Sequence, residues 1–165
     1  MNEYEFTLTF DLPGDQEDPE QYVDALFEAG CDDAVPGTGL PGTIALEFVR
    51  EAESANEAIE SAIMNVLEAI PGADLSEAKP DLVGLTDVAQ ILACSRQNIR
   101  KYMDTYHEFP RPAFTGKTLL WHLWELASFQ KLSVPTTIVD ISKITFKINM
   151  SIQQHRFESG FKDTA

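Results

Sequence analysis

The sequence predicts an α+β chain made of two unlike halves, and three observations carry that expectation. The first half orders its strand and helix patterns as β-α-β-β-α-β. The second half opens on two short amphipathic helices followed by a tight hairpin. The charge divides at the same place: residues 1–84 hold 2 Lys/Arg and 20 Asp/Glu, residues 85–132 hold 6 and 4, and residues 133–165 hold 4 and 3. The formal net charge of −15 over 165 residues therefore belongs to the first half, and the two halves are suited to different partners.

Residues 4–12 alternate with period two. Tyr4, Phe6, Leu8 and Phe10 fall on one side, and Glu5, Thr7, Thr9 and Asp11 on the other, the mark of a half-buried strand. Pro13-Gly14 ends it. Asp18 before Pro19 pairs an N-cap with a first-turn proline. The helix that follows, to about Ala29, is expected to bury Tyr22, Val23, Leu26 and Phe27 and to close at Gly30. Residues 32–36 read as a short strand and residues 37–42 as a connection. Residues 43–49 read as a third strand with Ile44, Leu46 and Phe48 on one face. Ser54 with Glu57 three residues on spells a capping box. Its helix is expected to bury Ala55, Ile59, Ile63, Val66, Leu67 and Ile70 before Pro71-Gly72 stops it. Residues 73–79 supply a last short strand. Two helices on one face of a four-stranded antiparallel sheet make a ferredoxin-like βαββαβ domain, expected over residues 1–80.

Lys79-Pro80-Asp81 links this half to the next. Thr86 is placed to cap a helix burying Val88, Ala89, Ile91 and Leu92, and Ala93-Cys94 supplies a turn. Ser95 caps a second helix whose apolar side is Ile99, Tyr102 and Met103. Phe109-Pro110-Arg111-Pro112 is too proline-rich for a helix. Gly116-Lys117 turns a short hairpin, after which Trp121, Leu123, Trp124 and Leu126 are expected to open another helix. The pattern is a winged helix-turn-helix over residues 84–132. A C-terminal amphipathic helix over residues 136–155 carries Ile138, Ile141, Ile144, Ile148 and Ile152 at steps of three and four. It serves packing within the chain or dimerisation, and the last ten residues read as frayed.

The second helix of the pair leaves Ser95, Arg96, Gln97, Asn98, Arg100 and Lys101 outward, and the hairpin leaves Arg111, Thr115, Lys117 and Thr118. These are the expected DNA-binding residues. Arg pairs in bidentate fashion with guanine, Gln and Asn with adenine, and cations with phosphates. The first half offers a second candidate surface, Asp15, Glu17, Asp18, Glu20, Asp24 and Glu28. It would dock a basic partner protein or, more plainly, form a solvated helix face.

Several functions are set aside. No run of about 18 apolar residues reads as a membrane span, and the N-terminus lacks a signal peptide's basic and apolar segments, so a cytoplasmic location is expected. Cys31 and Cys94 lie apart and read as small buried thiols. With no ligand set around them, neither metal nor cofactor is expected. The Gly37–Gly42 loop lacks the lysine and following helix of a phosphate-binding loop. Asp32 and Asp33 point to opposite faces of a strand. His107, His122 and His155 are scattered, and Glu47 and Glu57 gain no catalytic context. An enzyme is not expected.

The second half resembles the MerR, excisionase and phage AlpA type of small winged helix-turn-helix. The matching residues are Leu85-Thr86-Asp87-Val88-Ala89, Ser95-Arg96-Gln97-Asn98-Ile99, Phe109 to Pro112, Gly116 and Trp121, with Ala93 where the turn glycine usually stands. The resemblance implies a regulator that binds double-stranded DNA; a homodimer is expected, because one small module covers a short site. The alternative is an antitoxin-like adaptor working through its acidic half. The whole chain also resembles a bacterial family of DNA-binding proteins of this two-part layout, through Gly30-Cys31-Asp32-Asp33-Ala34, Pro41-Gly42, Ile44 to Phe48 and Pro80 to Thr86. That second resemblance implies architecture and no role.

Overall fold

Strand β1 (Asn2–Asp11) buries Tyr4, Phe6, Leu8 and Phe10 and leaves Glu3 and Glu5 in solvent, the two-residue period read above. The computed structural model describes the backbone of residues 1–163 and the side chains of residues 1–160. It is a mixed α+β arrangement with two antiparallel sheets. In the first sheet, β3 (Thr43–Ala52) pairs along the whole of β1. β2 (Ala34–Gly37) flanks β3 and β4 (Asp74–Lys79) flanks β1, for an order β2-β3-β1-β4.

One helix was expected over residues 19–29; the structure has a 3-10 turn (Pro19–Tyr22) and then α1 (Val23–Glu28). Asp18 accepts from the Glu20 N–H at 3.0 Å. Leu26 is buried, but Phe27, expected inside, is 66% exposed. Six residues make under two turns, too few to direct two adjacent side chains into the core. In α2 (Ala55–Ala69), Ser54 Oγ accepts from the Glu57 N–H at 3.1 Å, a cap that contributes about 1 kcal/mol. The Glu57 carboxylate takes the N–H of Glu53, one residue before the cap. Ala55, Ala58, Ile59, Ala62 and Val66 form the inward ridge, and its alanines let the helix lie close on the sheet. Leu67, expected inside, is 42% exposed, and Ile63 is half-buried. Both helices feed one core with the inward residues of β1 and β3, so they share one face of the sheet. The other face is open.

In the second half, β5 (Leu82–Val83), β7 (Leu119–His122) and β6 (Phe114–Thr115) form a small sheet in the order β5-β7-β6. Helices α3 (Leu85–Ile91), α4 (Arg96–Thr105) and α5 (Leu123–Ala127) pack against it around Val88, Ile99, Trp121, Leu123 and Leu126. Trp121, expected in a helix, lies in β7. Its ring is buried and its Nε1 donates to the Pro110 carbonyl at 3.0 Å. Thr86 does not cap α3: the helix starts at Leu85, and Asp87 Oδ2 accepts from the Gly84 N–H at 2.9 Å.

The final helix, α6 (Thr136–Asp163), runs past the expected end at residue 155. Residues 164 and 165 of the expected frayed tail lie outside the described residues. Ile141 is buried in the first core with Ile144 and Ile148 against it, while Ile138 packs on the second. Asn149 Oδ1 accepts from the Ala78 N–H at 2.8 Å. Its Nδ2 donates to the Ala78 carbonyl at 2.7 Å and to Asp81 Oδ2 at 2.9 Å. Thr145 donates to the Pro80 carbonyl. The helix thereby covers the edge of β4.

Between α3 and α4, Ala93 sits at φ +51°, a left-handed conformation that costs a residue with a Cβ roughly 1–2 kcal/mol. Ala93→Gly is expected to raise the unfolding free energy by about 1 kcal/mol in urea denaturation, whereas a loss of stability would contradict this backbone geometry.

Candidate nucleic-acid interface

The turn before α4 is tied by the Cys94 N–H to the Ala89 carbonyl at 2.9 Å. Ser95 Oγ then caps α4, accepting from the Asn98 N–H at 3.0 Å, which leaves the hydroxyl proton to donate outward. Ile99 is buried, and Tyr102 and Met103 are partly buried against the second core. That anchoring turns Arg96, Gln97, Asn98, Arg100 and Lys101 into solvent, all exposed. Among the described residues their side chains make no hydrogen bond or ion pair within the chain. Ser95, Gln97, Asn98, Arg100, Lys101 and Asp104 line one shallow hollow. The α4 N-terminus adds unpaired N–H groups and the positive end of the helix dipole.

The hairpin is positioned by aromatic rings. Tyr102 stacks on Tyr106 with centroids 5.6 Å apart, and Phe129 meets Tyr106 edge-on at 5.9 Å and Phe109 at 5.5 Å. Phe109 meets Trp121 edge-on at 6.3 Å. This row fixes the stretch carrying Arg111. The Ala113 N–H bonds the Leu120 carbonyl at 2.7 Å, and Arg111, Thr115, Lys117 and Thr118 are exposed. No hydrogen bond or ion pair among the described residues joins these hairpin side chains to those of α4. Sequence reasoning missed Lys131, whose ammonium lies 5.6 Å from the Tyr106 ring centroid; nothing in its spacing pointed to that ring.

The acidic candidates are less free. Glu17 Oε2 accepts from the Tyr22 hydroxyl at 2.6 Å, and this hydrogen bond pushes the phenol above its ordinary range. Asp18 is the cap, and Glu20 accepts from the Thr38 hydroxyl. Asp15, Asp24 and Glu28 remain exposed. A further group went unread in the sequence: Arg50, 7% exposed. Its Nε and Nη2 hold the two Asp33 oxygens at 2.7 and 2.9 Å. Nη2 also reaches the Gly30 carbonyl at 2.9 Å, and Nη1 reaches Ser61 and Asn65 at 3.1 and 2.9 Å. All five guanidinium donors are used, so this cation is not available to a ligand.

No group of His, Cys, Asp and Glu among the described residues could hold a metal ion. No helix among them is long and apolar enough to cross a membrane. No protein-family model, curated protein or solved structure matches the chain.

Cys31 is buried, and burial pushes its thiol up to about 11. Cys94, expected to be buried, is only half so, in the turn before α4. Because the thiolate is the reactive form, a disulfide reagent at pH 8 is expected to label Cys94 in the folded chain and Cys31 only on unfolding. Equal labelling rates would contradict the burial of Cys31.

Proposed function

We propose that the chain is a cytoplasmic regulator that binds double-stranded DNA through a winged helix-turn-helix in its second half. The observation that carries this reading is the outward side of α4. Three cations and two amides stand exposed there, without partners among the described residues, at and beyond the first turn of a capped helix. Arg96, Gln97, Asn98 and Arg100 would meet base edges in the major groove. Lys101, Arg111 and Lys117, with the hydroxyls of Ser95, Thr115 and Thr118, would hold phosphates. The strand order β2-β3-β1-β4 with α1 and α2 on one face supports a ferredoxin-like reading of the first half.

Charge sets the affinity regime. Residues 85–132 carry 6 Lys/Arg against 4 Asp/Glu, and residues 1–84 carry 2 against 20, so non-specific binding is weak at physiological salt. Specific binding then depends on base contacts of about 1–3 kcal/mol each and on two copies spanning two half-sites. The adaptor reading keeps one observation in its favour: Glu3, Glu5, Glu47 and Glu51 stand exposed on the open sheet face.

A mobility shift with the duplex upstream of the protein's own gene tests the reading. The chain is expected to retard it, and Arg96→Ala with Arg100→Ala to weaken binding at least about tenfold while the circular dichroism spectrum is unchanged. Lys117→Ala should lower the salt slope by about 1. Undiminished binding by the double variant would remove α4 from the interface.

A further inference from the structure

The first sheet has two protected margins and one open one. Asn149 and α6 cover β4, and β2 is a four-residue edge containing Pro36, both common protections against stray pairing. Along β1, β3 pairs from Asn2 to Asp11, whereas β4 pairs only from Thr7 to Asp11. Residues 2–6 of β1 thus have a strand on one side alone.

The direction of the free backbone groups follows from Asn149. It takes both the N–H and the carbonyl of Ala78, so these point away from β1. Leu8, opposite Ala78, therefore turns its own groups toward β3. The two-residue alternation sends those of Thr7, Glu5 and Glu3 to the other side. Thr7 meets Lys79 of β4; Glu3 and Glu5 meet nothing among the described residues. Beside them lies a cleft of about 570 Å³, walled opposite by Ile91 of α3 and by Pro135, Ile138 and Ile141 at the start of α6.

We propose that this cleft takes an extended peptide segment as an added strand on residues 2–6 of β1, basic on one face and apolar on the other. The unpaired N–H and carbonyl groups of Glu3 and Glu5 supply the ladder. Residues of the incoming strand on the open face meet the Glu3 and Glu5 carboxylates, which have no ion-pair partner among the described residues, with Glu51 in register opposite Glu3. Lys79, which lines the same cleft, is engaged with Glu77 at 3.3 Å. Residues on the other face meet the isoleucine wall. A second copy of the chain is disfavoured here, because pairing β1 with β1 would set these carboxylates against their own kind. The stretch accommodates about five residues, roughly 17 Å. The inference does not rest on the reading of α4.

The probe is the peptide acetyl-Lys-Val-Lys-Val-Lys-amide, with two variants N-methylated at alternate residues and a Glu-Val-Glu-Val-Glu counterpart. At saturation the parent is expected to slow amide exchange of Glu3 and Glu5 at least about tenfold while leaving Thr7 unchanged. One N-methylated variant, whose methyls face β1, should lose binding and the other keep it. Glu3→Gln with Glu5→Gln should weaken binding about tenfold at low salt, and the acidic peptide should not bind. Equal binding of both N-methylated peptides, or unchanged exchange at Glu3 and Glu5, overturns the proposal. So does protection of these amides that rises with protein concentration alone, which would make the occupant a second copy.

Discussion

The joining of the two halves rests on Asn149. One carboxamide closes both backbone groups of Ala78 and reaches the Asp81 carboxylate. The other Asp81 oxygen accepts from His122 Nδ1 at 2.8 Å, and its backbone carbonyl accepts from the Leu123 N–H at 2.7 Å. The edge of the first sheet, the centre of the second and the long helix therefore meet within a few residues of chain. Each hydrogen bond alone is worth about 1 kcal/mol, but leaving a buried partner unpaired costs more. The joint consequently resists partial loosening.

Charge is divided by use as well as by position. In the first half, Arg50 spends all five donors on the chain itself and lies over Phe48 at 5.0 Å. Arg96 and Arg100 are the same residue type in the opposite situation, exposed with no acceptor among the described residues. A guanidinium that is planar, always charged and unspent is suited to a carboxylate, a phosphate or a base edge. The contrast between Arg50 and this pair is the clearest electrostatic statement the molecule makes.

Most local signals were legible in the sequence, the start of α3 being an exception because Asp87 and not Thr86 takes the N–H there, and long-range ones were not. The alternation of β1 and the caps at Asp18, Ser54 and Ser95 depend on neighbours within four residues, and all appear where the pattern placed them. Trp121 was misread because Trp-His-Leu-Trp satisfies a short strand and a helix turn equally; the partner that decides is Leu82–Val83, too short to show a period. The isoleucine stripe of α6 was visible, but its destination was not, since Asn149 and Ala78 are 71 residues apart. Phe27 and Leu67 fit their helical stripes and still face solvent, because helix length and the angle of approach to the sheet are tertiary quantities. At the candidate interface, the outward set on α4 followed from helical period alone. Lys131 and the aromatic row behind the hairpin needed the fold.

The two tryptophans, Trp121 and Trp124, both lie in the second half, so their fluorescence reports that half while amide exchange in β1 and β3 reports the other. In urea titrations of the whole chain, the account requires the two probes to give one coincident transition. Replacing Asn149 by alanine should separate them and lower overall stability by about 2 kcal/mol. Coincident transitions with an unchanged midpoint in that variant, or two separate transitions already in the parent chain, would contradict the clamp.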